Sequence, residues 1–177
     1  MSALEKYKQW VFLMQQIHEA SYYIRRSEEL GHPQLWTSYS HILEFIAHFK
    51  SALNAYAKCF VSAGRGRIKL DAPSVFRSSE DHLAQHDVII NLRHKYVAHS
   101  DTNQFELATV LEEDTPEELI LRLQYKLSFP FDRLYELRKL IRLVEAHVVD
   151  RQKTLIAAIE REAGKPVRIQ EGNDEKI

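Results

Sequence analysis

The chain has 177 residues, 45% of them hydrophobic, which suffices for one domain with a packed core. Its 25 acidic and 24 basic residues exclude the global basic excess of a non-specific nucleic-acid binder, so any RNA contact has to come from a local patch. The lone cysteine, Cys59, excludes an internal disulfide, and no apolar run approaches the ~18 residues of a membrane span.

The first segment, roughly 2–30, repeats Tyr7, Trp10, Met14, Ile17, Ser21 and Ile24 at the spacing of one helical face, and GHP at 31–33 ends it. The opening MSALEKYKQW lacks the apolar core of a signal peptide, so a soluble cytoplasmic protein without membrane contact is expected. A second helix follows from Leu35, Tyr39, Ile42, Ile46, Phe49, Leu53, Tyr56 and Phe60, which alternate in steps of three and four. Cys59 lies in this apolar run and reads as a small core residue. AGRGRIKLDAP is a loop, with Arg65, Arg67 and Lys69 in it.

Ser78 or Ser79 caps a third helix, with Glu80 and Asp81 in its positive first turn, and the spacing carries it to about His99. The period then falls to two. Phe105, Leu107, Thr109 and Leu111 alternate, as do Leu119, Leu121, Leu123, Tyr125, Leu127 and Phe129, with EEDTPEE between them as the turn of a hairpin. A lone hairpin is marginal in water, so it is expected to pack on the helices or on a partner. The last helix starts near Pro130 and runs to about Ala163, with Leu134, Leu137, Ile141, Val144, Val148, Leu155 and Ile159 on one side. The expected architecture is all-α: a four-to-five-helix up-and-down bundle with a β-hairpin inserted at about 104–129. It forms one domain over 1–163, followed by a flexible polar tail at 164–177.

Nine histidines raise the question of a metal. His82 and His86 stand four apart, and His41, Glu44 and His48 share a helical face. The Glu-x-x-His repeats of di-iron bundles, HExxH and paired cysteines are all missing, so no metal and no cofactor is expected. GRG at 64–66 lacks the pattern of a phosphate loop.

The stretch NLRHKYVAHSD, residues 91–101, sets Arg93, His94, Lys95 and His99 into an amphipathic helix. Ile89, Leu92, Tyr96 and His99 continue its stripe, and six residues of ideal helix leave Arg93 and His99 about 120° apart. Fraying at Ala98–Ser100 would let the imidazole swing toward the guanidinium, with the carbonyl end of the helix favouring its protonated form. Spacing alone favours the simpler reading, an arginine snorkelling from the bundle beside a histidine that caps a helix end.

RHKYVAH resembles the R-x(4–6)-H signature of the HEPN superfamily, the helical-bundle ribonucleases of toxin–antitoxin and abortive-infection systems. Arg93 matches the arginine, His94 the polar position after it and His99 the histidine. The likeness is tight over about eleven residues and otherwise extends to the order of long helices. It implies a metal-independent RNA endonuclease with catalytic Arg93, His99 and His94, a site formed across a homodimer, and a cognate antitoxin protein as partner. RNA allows this chemistry because its 2′-hydroxyl attacks the neighbouring phosphate once one group takes the proton, another protonates the leaving oxygen and a cation stabilises the phosphorane. His99 suits proton transfer and Arg93 the phosphate clamp; a two-fold dimer supplies both an acid and a base. Asn91 and Tyr96 are candidates to orient the pair, and Lys95, Arg65 and Arg67, with Lys69, to position the strand. The alternative is a non-catalytic dimeric bundle that binds a protein or nucleotide through the same cleft.

Overall fold

Ser2 starts helix α1 (Ala3–Glu29) by accepting a hydrogen bond from the Glu5 amide at 3.2 Å. The structure, a computed structural model, describes residues 2–32, 35–36, 38–61, 67–77, 79–95, 106–127 and 131–170. The elements are α1, α2 (Tyr39–Lys58), a short α3 (Ala72–Val75), α4 (Glu80–Arg93), a hairpin of β1 (Glu106–Asp114) and β2 (Leu119–Leu127), and α5 (Phe131–Ala163). This is a helical bundle with an inserted hairpin, in the order the sequence predicts.

Helix α1 lies between α2 and α5 and packs along both. Contacts down its length fix its antiparallel course against α5. The Ala3 amide donates to the Glu162 carboxylate, Trp10 meets His147 with ring centroids 6.0 Å apart, and Arg138 donates to Glu28 at 2.8 Å. Half-exposed ion pairs contribute little, so the stabilisation comes from the apolar ridges. Leu13, Ile17, Ala20 and Ile24 of α1 join Leu137, Leu140, Ile141, Val144 and Val148 of α5 in one buried cluster, each large aliphatic contributing about 1.5–3 kcal/mol. Helix α4 closes the bundle across α2 and α5.

Three boundaries depart from the sequence reading. The α2 stripe is buried at Ile46, Phe49, Leu53 and Tyr56, but Leu35 is 72% exposed and Tyr39 57% exposed. The helix starts only at Tyr39, because the chain turns where the Trp36 indole donates to the Leu30 carbonyl at 2.8 Å. Part of the predicted loop is helical: Asp71 accepts from the Ser74 amide at 3.0 Å and so caps the single turn of α3. In the hairpin, Glu112, Glu113 and Asp114 belong to β1 and not to the turn, which is the tighter Thr115–Glu118. There the Thr115 hydroxyl donates to the Glu118 carbonyl at 2.9 Å and accepts from the Glu118 amide at 3.0 Å.

The antiparallel register sets Val110 opposite Leu123, Glu112 opposite Leu121 and Asp114 opposite Leu119. These residues share one face, so its leucines stand on solvent: Leu119, Leu121 and Leu123 are 57–65% exposed. Among the described residues the hairpin packs chiefly as its own ladder, and no helix lies along it. Of the tail, residues 164–170 are described. Gly164 adopts φ +65, where a glycine ends the helix without strain, and the Val167 amide then donates back to Glu160 at 3.1 Å.

Candidate functional site

Ser79 fixes the start of α4, accepting from the His82 amide at 3.2 Å, with Glu80 and Asp81 in the first turn. The helix buries His86, Ile89 and Leu92. Its antiparallel packing on α2 is marked at two levels, by His86 against Tyr56 and Phe60 and, two turns on, by Arg93 against Asn54. After Arg93 the backbone widens, and His94 and Lys95 form a π-type turn.

Arg93 is half-buried, and its guanidinium donates to Asn54 Oδ1 at 3.4 Å. Its Nε is buried without a hydrogen-bond partner among the described residues. A guanidinium carries five donors in a planar fork, so this one is tethered at one corner and retains donors for an oxyanion. Asn91, His94 and Lys95 are exposed around it. His99 and Tyr96 lie outside the described residues, as does Arg65. Arg67 is brought to α1, its guanidinium 4.0 Å from the centroid of the Phe12 ring. Lys69 is exposed on a cleft that it shares with His86 in the middle of α4.

His86 does not face solvent as half of an imidazole pair with His82. It is 5% exposed, with Nδ1 2.8 Å from the fully buried Tyr56 hydroxyl, and Phe60 and Phe76 pack on its ring at 4.3 and 5.4 Å. Burial pulls its pKa below the ordinary 6.5, against the opposing pull of Asp87, and burial pushes the Tyr56 phenol upward. His48 stacks on Tyr23 at 5.9 Å and stands 3.6 Å from Glu44. Among the described residues no three His, Cys, Asp or Glu side chains converge on a point. Cys59, at the C-terminal cap of α2, is fully buried and its thiol is pushed up to about 12, chiefly by burial, which makes it a core residue.

Sequence spacing found Arg93 but not its tether. Asn54 sits within an apolar stripe, and nothing in its neighbourhood marks it as the partner of a residue on another helix. The Tyr56–His86 pair left one signal: His86, Ile89 and Leu92 follow helical spacing, so the histidine continues a buried stripe.

No family model, curated protein or solved structure matches this chain. None of the described helices is long and apolar enough to cross a membrane.

Proposed function

We propose that the protein is a metal-independent endoribonuclease of the HEPN type, acting as a homodimer, with Arg93 and His99 as its catalytic pair. The observation that carries this reading is Arg93: a half-buried guanidinium held at one corner by Asn54, its Nε without a partner among the described residues. A core arginine whose role is structural normally has its donors satisfied, because a buried unmatched donor costs about 1–3 kcal/mol. The RHKYVAH motif adds the histidine.

In this mechanism the scissile phosphate sits on the Arg93 fork. A histidine base takes the proton from the 2′-hydroxyl, whose oxygen attacks phosphorus; the P–O5′ bond breaks, and a second histidine protonates the departing oxygen. The products are a 2′,3′-cyclic phosphate and a 5′-hydroxyl. Arg93 stabilises the charge that grows on the non-bridging oxygens, while His99 of each protomer supplies one proton-transfer group. His94, exposed beside Arg93, is a second contact for phosphate or acid for the leaving group. The exposed leucines of β2 give a second copy an apolar surface to cover, close in sequence to the motif.

The test is cleavage of single-stranded RNA in EDTA by the wild type and by Arg93→Ala and His99→Ala. The expected result is that both variants lose at least about a hundredfold in rate while keeping helical circular dichroism. Single-stranded DNA of the same sequence stays intact, since it lacks the nucleophile. Cleavage that survives either substitution makes the pair structural and leaves the non-catalytic binding module as the reading.

A further inference from the structure

Two turns before Arg93, on the same face of α4, His86 closes the floor of a cleft of about 260 Å³ that Phe60, Lys69 and Asp71 also line. The buried pair beneath it fixes what the cleft presents. Tyr56 is fully buried and its hydroxyl lies 2.8 Å from His86 Nδ1; the arrangement that leaves no buried phenol O–H unmatched among the described residues has that O–H donating to the nitrogen. The imidazole proton then resides on Nε2. That N–H has no acceptor among the described residues, although the ring is only 5% exposed. His86, Lys69 and Asp71, whose Oδ2 holds the Ser74 amide and whose Oδ1 is left to accept, therefore line one cleft beside the Phe60 ring.

We infer that this cleft receives a guanine base of the RNA strand, an inference that rests on the ribonuclease reading of Arg93. Guanine is the base whose polarity matches. O6 and N7 accept, and they suit the His86 N–H and the Lys69 ammonium; N1–H and the N2 amino group donate side by side, and they suit the Asp71 carboxylate. Adenine presents an amino donor where guanine has O6 and an acceptor at N1, so it meets the donors with a donor and the carboxylate with a lone pair. Cytosine and uracil lack the paired donors. The ring of Phe60 provides the apolar surface that an unstacked base requires, and bases are read in this way in single strands. The cleft is smaller than the roughly 300–1,000 Å³ of sites for drug-sized ligands, which suits one base and not a whole cofactor. Seven residues of helix separate His86 from Arg93 by about 10.5 Å, a distance that a short stretch of single strand spans. The site thereby gives the nuclease a base preference: it cuts near guanosine.

The experiment is calorimetric titration of the full chain with GMP, AMP, CMP and UMP, which share a phosphate and differ in the base. GMP is expected to bind at least about tenfold more tightly than the others, the discrimination of one good paired contact. Asp71→Asn retains an N-cap for α3 while replacing the acceptor pair, and it is expected to erase that preference; Lys69→Met, at an exposed position, is expected to weaken GMP by about tenfold. Equal affinity for the four nucleotides, no binding at millimolar concentration, or undiminished preference in Asp71→Asn overturns the inference. Nucleotide binding and RNA cleavage fail separately. Cleavage without GMP selectivity removes the guanine site alone, and selective GMP binding without cleavage removes the nuclease reading alone.

Discussion

Tyr56 and His86 show how a single polar pair is accommodated in an apolar bundle. Each would be expensive alone at this depth, and together they satisfy one another at 2.8 Å. The cost returns as pH dependence. Burial lowers the His86 pKa, and burial together with the Arg151 and Arg77 guanidinium groups lowers that of His147. A histidine depressed in the folded state binds its proton more readily in the unfolded chain. Its stability contribution is therefore present above the ordinary 6.5 and is lost as pH falls through the folded value. The melting temperature is expected to fall on acidification from about pH 7.5 to about pH 5, and more steeply in the wild type than in His86→Gln, which accepts from Tyr56 without titrating. A melting temperature that rises over that range contradicts the assignment of a neutral His86. In the sequence His86 continues a stripe with Ile89 and Leu92, while its four-residue spacing to His82 raised a metal pair that the missing ligand patterns argued against. What decides between them is Tyr56, thirty residues away on another helix.

Among the elements, the helices were legible because each long one must bury a stripe, and the stripe has a period. The ridge of Leu134, Leu137, Ile141, Val144 and Val148 on α5 is buried as its spacing predicts. Leu137→Ala is expected to cost about 2–5 kcal/mol, seen as a lower urea midpoint, because Leu137 is fully enclosed where α5 meets the core; a change below 1 kcal/mol, roughly, places the core elsewhere. Boundaries were less legible, since hydrophobicity alone does not report where a chain turns. Leu35 fits the α2 period yet precedes the helix, and Glu112 to Asp114 look like a turn while pairing in β1. The hairpin owes its form to a tight turn and its antiparallel backbone ladder, across which Arg122 also reaches Glu113 at 2.6 Å. Since no helix lies along it among the described residues and Leu119, Leu121 and Leu123 stand on solvent, replacing 106–127 by a short Gly/Ser linker is expected to preserve cooperative helical unfolding. Loss of the helical circular dichroism signal in that variant shows that the hairpin supports the helices.

At the scale of the whole molecule, the proposed nuclease requires a near-neutral chain to concentrate its phosphate contacts in one place, and in that proposal a second copy completes it. The Arg93 guanidinium and the His86 cleft lie on one helix, while the exposed leucines of β2 follow the motif in the chain. Light scattering at micromolar concentration is expected to return twice the 20.8 kDa of the chain; a mass of one chain removes the composite site. Of this site the sequence made Arg93 legible through its motif. It was silent on Asn54, because a tether between helices is a property of their packing and not of either segment.

The most direct measurement is the chemistry of the RNA ends after incubation with purified protein in EDTA. Fragments are expected to end in 2′,3′-cyclic phosphate and to begin with 5′-hydroxyl, at a rate that Arg93→Ala lowers by at least about a hundredfold. Intact RNA with the wild-type dimer, or 3′-hydroxyl and 5′-phosphate ends, contradicts the nuclease reading.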